Sequence, residues 1–144
     1  MDATTLVTTY PRLFHIAEHD AWPSIRRYGL LSTSALLELF EIAEPRRSQL
    51  LEHRRDASVV INHPVHGRAT VRDNLPLHEG KLAACLTDMT VEAFMRRVNE
   101  HVFFWPNMAR LDSLFNAAAY ASRRHLILEL DAPSLIAAHE HSVR

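Results

Sequence analysis

Leu13 to Ala17 is a short apolar run interrupted only by His15, a length that suits a buried strand and falls short of a helix. Trp22, Ile25 and Tyr28 then recur at one-face helical spacing, with Asp20 placed to cap, Pro23 in the first turn and Gly29 able to take the positive φ that ends a helix. The pattern predicts strand, loop, amphipathic helix and glycine stop. Side chains alternate along a strand, so His15 faces away from Phe14 and Ile16. An imidazole there is either a core group with one satisfied nitrogen or the edge of a pocket.

Residues 1 to 11, Thr-rich and closed by Pro11, read as a frayed lead-in. Ser32, Thr33 and Ser34 offer caps for a core-facing helix through Leu36, Leu37, Leu39, Phe40 and Ala43, stopped near Glu44-Pro45. A second helix over Arg46 to Arg55 should bury Leu50 and Leu51 and expose Arg46, Arg47, Arg54 and Arg55. The β-branched run within 57–62, a His63-to-Gly67 turn and an extended 69–71 predict a hairpin, and 72–80 an ordered loop. Thr90 caps a helix through Val91, Phe94, Met95 and Val98. His101 to Trp105 is the most strand-like run, and Asn107 caps a helix through Leu111, Leu114, Phe115 and Ala118. His125 to Leu130 alternates as a strand, and Pro133 opens a short helix through Leu135 and Ile136. Strands and helices mix without regular βαβ repetition, which favours an α+β class.

Composition narrows the function classes. The 144 residues, 47% hydrophobic, suit one domain over 1–144, and a formal charge of −1 supplies no global field to recruit a polyanion or an acidic membrane. With one cysteine, no apolar run near 18 residues and no leader pattern at the N-terminus, the sequence reads as cytoplasmic and without a membrane partner. Only Gly29, Gly67 and Gly80 occur, so neither a dinucleotide-binding nor a phosphate-loop glycine motif can be written. The ending directly after the last predicted helix suits a fold that lacks its final strands.

Six arginines, Arg46, Arg47, Arg54, Arg55, Arg68 and Arg72, face only Glu52 and Asp56 between 46 and 72, a local net charge of +4. Guanidinium forks bind phosphate at two points, so the segment suits a pyrophosphate or a nucleic-acid backbone. Equally, with 15 Arg against one Lys, an arginine-rich composition and solvated helix faces account for much of the cluster. Ten histidines raise a metal-hydrolase reading, but a zinc site needs three or four convergent ligands, and neither cysteine pairs nor an H-E-x-x-H motif occur. Cys85, between alanines and Leu86, reads as inert core. Glu129 either offers a strand carboxylate to a pocket or sits on the solvent side of an edge strand. Phe103 and Trp105 would share one strand face, where rings either sandwich a base or pack as core.

Taken together, Leu13-Phe-His15, the helix ending Tyr28-Gly-Leu-Leu-Ser, Arg54-Arg55, the stretch His66 to Pro76 and Val102-Phe-Phe-Trp-Pro resemble the ADP-ribosyltransferase superfamily. The likeness lies nearest to DarT-type toxins and to an uncharacterised bacterial family related to them. The resemblance implies a split central antiparallel or mixed sheet with flanking helices, and NAD as the small-molecule substrate. It also implies a nucleic-acid or protein acceptor and a toxin–antitoxin setting. It places His15, Ser32, Thr33, Arg68, Arg72, Phe103 and Trp105 around the dinucleotide, and Arg54, Arg55 and Glu129 in catalysis. Arg72-Asp73 stands where the family shows His-Asp, and the glutamate expected near the C-terminus is matched only by Glu129, with Glu140 a poor second. A non-catalytic nucleotide- or nucleic-acid-binding module of the same fold is the alternative the sequence leaves open.

Overall fold

A computed structural model describes residues 2–75 and 77–143 as an α+β protein with eight α-helices and two small antiparallel two-stranded sheets. Its contacts fall into two compact units, residues 2–17 with 103–143, and Glu18–Val102.

In the first unit, β1 (Arg12–Glu18, whose last residue begins the other unit) pairs with β4 (His125–Asp131). Before it stands α1 (Ala3–Thr9), where a frayed lead-in was expected. The threonines are poor helix formers, but Asp2 accepts from the Thr5 amide at 2.7 Å and α1 packs on α8 (Ala132–His139), so capping and tertiary contact override propensity. The strand buries Leu13, Phe14 and Ala17 but not in strict alternation. Leu111 from α7 (Met108–Phe115), Tyr120, Ala132 and Ile136 are the other buried side chains here. Asn107 caps α7 as its position predicts, although the helix ends at Phe115 before Ala118.

The run His101 to Trp105 is not a strand. Only Trp105 bridges β1, exchanging both backbone hydrogen bonds with Phe14 at 2.9 and 2.7 Å. The His101 amide is spent on Val98 O, the Phe103 carbonyl is taken by the His15 ring, and Pro106 has no amide to extend the ladder. High β-propensity finds no partner strand there.

In the second unit, β2 (Val59–His63) and β3 (Gly67–Val71) form the expected hairpin, in register from Val59↔Val71 to His63↔Gly67. Gly67 takes φ 76° after the three-residue loop, the left-handed position such hairpins reserve for glycine. His63 Nδ1 accepts from the Val65 and His66 amides at 3.1 and 3.2 Å and so ties the turn. The paired face, Ile61 with Ala69 and Val71, meets Leu37 and Phe40 at the end of α3 (Thr33–Leu39) and Leu50 and Leu51 from α4 (Arg46–Glu52). Against α4 packs α6 (Val91–Asn99), capped by Thr90 as predicted and burying Met95.

Other details of the helices differ from expectation. The helix after the first strand, α2 (Trp22–Tyr28), starts from Ala21 without a side-chain cap, because Asp20 pairs with Arg68 instead; Gly29 ends it at φ 80°. Helix α3 stops at Phe40, short of Ala43, where Glu41 adopts φ 52°. Beyond the loop, α5 (Glu79–Cys85) carries Cys85 exposed at its last position, not in a core. No helix among the described residues is long and apolar enough to cross a membrane.

Candidate functional site

In the first unit the His15 ring is half-buried, with Nδ1 2.9 Å from the Phe103 carbonyl. A carbonyl only accepts, so Nδ1 carries the proton and Nε2 is the acceptor nitrogen of the neutral ring. The tilted Phe104 ring lies 5.9 Å away, centroid to centroid. Phe103 is 58% exposed and Trp105 half-buried; with no strand at 103–105 the two do not form the shared strand face that was expected. Glu129 stands exposed on β4, where its Oε1 accepts from Arg12 Nη1 at 2.7 Å. That pairing holds the carboxylate on the open side of the sheet, with one oxygen engaged.

The second unit carries the arginine-rich segment, and its members divide by environment. Arg55, expected on an exposed helix face, is 9% exposed and lies beyond the end of α4. Its Nε donates to Arg72 O at 2.9 Å, one terminal nitrogen to Leu50 O and the other to Asn99 Oδ1 at 3.1 Å. Asn99 in turn donates to Leu51 O and Met95 O, both at 2.9 Å. Burial pushes the Arg55 pKa down from the ordinary guanidinium value, and the Asp73 charge opposes that shift. Helix ends and the 72–75 loop are therefore clamped by one fork, a use the arginine count could not reveal.

Arg54 is half-exposed. It binds Asp56 at 2.6 Å and the Leu75 carbonyl at 3.0 Å, while its amide donates to Glu79 Oε1 at 2.8 Å. Ser32 caps α3 through the Ala35 amide at 3.2 Å, and Thr33 opens that helix. Arg72 follows β3, half-buried, beside a compact polar group in which Ser58 Oγ donates to Glu18 Oε1 at 2.7 Å and contacts Asp73 Oδ2 at 3.2 Å. Pro76, the end of the stretch the resemblance drew on, lies outside the described residues.

Arg68 faces a cleft of about 330 Å³ between α2 and β3 whose other polar walls are Asp20, Ser24, Arg27, Tyr28, His66 and Thr70. Arg68 Nη2 pairs with Asp20 Oδ2 at 2.9 Å. A 2.8 Å hydrogen bond joins the Tyr28 hydroxyl to His66 Nδ1, and the Arg27 guanidinium lies 5.0 Å from the Tyr28 ring centroid. Sequence reasoning does not single out Arg27 or Tyr28 as ligands, and it weighs His66 only among the histidines of a metal site. The available signal was Arg27 on the polar side of α2 and a histidine one residue before a turn glycine. Among the described residues no group of three or more His, Cys, Asp and Glu converges as a metal-ligand set. His63 and His66 stack at 4.5 Å, with His63 Nδ1 occupied by backbone amides and its Nε2 3.2 Å from Glu41 Oε2.

A profile described as a family of unknown function (DUF7002) matches residues 11–144, nearly the whole chain. The chain belongs to DUF7002. The match begins immediately before β1 and so takes in His15, the arginine segment and the cleft, leaving only α1 and its flanks outside. No curated protein and no solved structure matches this DUF7002 chain.

Proposed function

We propose that this DUF7002 chain is an NAD-dependent ADP-ribosyltransferase-like protein acting on nucleic acid or protein. The observation that carries the reading is the first-strand imidazole. His15 is held in orientation by the Phe103 carbonyl, beside the half-buried ring of Phe104. An imidazole whose ring is oriented in this way on the first strand suits a place beside a ribose hydroxyl. The local order of strand, helix, Gly29 turn and Ser32-capped helix agrees with the motif string on which the resemblance rests.

In the reaction so proposed, the bond between nicotinamide and ribose C1′ breaks and nicotinamide leaves with the electron pair. An acceptor nucleophile then bonds to C1′ and gives up its proton. The charge that develops on the ribose is oxocarbenium-like, and a carboxylate stabilises it. Glu129 is the strand carboxylate the sequence offers for that role, and its Arg12 partner would have to yield.

A second reading, a nucleotide- or nucleic-acid-binding module without transfer, is favoured by a separate observation. Arg55, assigned to catalysis by the resemblance, has all three guanidinium nitrogens engaged inside the fold. The experiment follows nicotinamide release from NAD by chromatography, with the wild-type chain beside Glu129→Gln. Release above the buffer rate that falls in Glu129→Gln supports the transferase. NAD that is bound but stays intact overturns it in favour of the binding module.

A further inference from the structure

We propose that the cleft between α2 and β3 is a binding site for a phosphate monoester, with Arg27 and Arg68 as its cationic walls. The site needs neither His15 nor the transfer reaction, so it stands whether or not NAD is the substrate. Arg27 and Arg68 line one cavity of about 330 Å³, a size that admits a small ligand. Arg68 spends one terminal nitrogen on Asp20, and the rest of its five-donor fork is left for a second anion. The Arg68 side chain is 57% exposed and that of Asp20 27%, and a pair open to solvent on its cationic side can exchange its carboxylate for a more highly charged anion.

The chemistry of the walls selects the anion. Asp20 already supplies a carboxylate, so another singly charged carboxylate gains little by replacing it. A phosphate monoester brings close to two negative charges and three acceptor oxygens, enough to engage both guanidinium groups at once. Tyr28 and His66, joined at 2.8 Å, add a hydroxyl and an imidazole to the same wall. The hydrocarbon of Pro23 and Ala69 is left for the ester's organic part. The Arg27 guanidinium lies over the Tyr28 ring and donates one terminal nitrogen to Val65 O at 3.4 Å, two contacts that restrain its head group beside the cavity and leave its other donors for the anion.

The test titrates glycerol 3-phosphate into the intact chain by isothermal calorimetry, with glycerol as the uncharged counterpart. Saturable binding of the ester and none of glycerol is expected. Arg27→Gln and Arg68→Gln should each weaken it about tenfold or more, a loss near the strength of a charge-assisted hydrogen bond. Arg26→Gln, which removes an equal charge from an exposed position of α2 outside the cleft, should leave it unchanged. Asp20→Asn, by releasing Arg68, should tighten it. Thermal melts establish that each variant is folded. Absence of saturation in the folded wild type overturns the proposal, as does equal weakening in Arg26→Gln and Arg68→Gln, which would mark a general charge effect.

Discussion

Replacing Arg55 with alanine should destabilise the protein by about 3–5 kcal/mol, the usual cost of removing one partner from a buried, charged network. The side chain is almost fully buried, and its loss removes the donors to the carbonyls of Leu50 and Arg72 and to the Asn99 amide oxygen, together with a positive charge that the Asp73 carboxylate favours. Each buried acceptor left without a donor costs roughly 1–3 kcal/mol, so two or three together reach the stated range even after partial relaxation. Arg55→Lys should recover only a small part, because an ammonium cannot reproduce three divergent donors at fixed angles. The measurement is urea unfolding followed by circular dichroism at constant slope. A loss below about 1 kcal/mol would mean that the guanidinium is not a structural clamp and would restore its candidacy as a ligand-facing group.

Leu37→Ala should cost about 2–5 kcal/mol, the range for truncating a fully buried leucine. Leu37 has no exposed surface and sits among Phe40, Leu50, Leu51, Ile61, Ala69 and Val71, so the vacated space is bounded by two helices and a hairpin that cannot all close on it. Leu36, on the same helix but only partly buried, gives the internal comparison, and its truncation should cost clearly less. Equal losses at the two positions would contradict the placement of α3. The Leu37 site also bears on the cleft, since Phe40, in the same cluster, has its ring 5.8 Å from that of His66. Loosening it should weaken ester binding as well as stability.

Short-range rules located most elements. A β-branched run, a loop and a glycine able to take positive φ specified the β2–β3 hairpin, and Thr90 and Asn107 marked helix starts because each hydroxyl or amide oxygen reaches the amide three residues on. What the sequence hid depends on partners distant along the chain. Helix α1 holds through its contact with α8, and the 101–105 run lacks a ladder because its carbonyl and amide groups are claimed by His15 and by the end of α6. Arginine chemistry was legible only as charge. Arg55 and Arg54 look identical in sequence, yet one is buried in a three-way clamp and the other reaches a loop and Asp56. Asp20 was read as a cap because capping is local, whereas its real partner, Arg68, lies on the hairpin. Of the candidate site, His15 on its strand could be foreseen from an apolar run broken once. The Phe103 carbonyl that fixes its ring could not, because that contact spans 88 positions.

The central claim is that this chain takes NAD with His15 as a ribose-facing group, and calorimetric titration of NAD into the wild-type and His15→Ala proteins tests it most directly. The account predicts saturable binding to the wild type, weakened about tenfold or more in the variant while its melting temperature stays close to that of the wild type. No heat of binding from a folded wild-type protein at high NAD, or the same affinity with and without the imidazole, would contradict it.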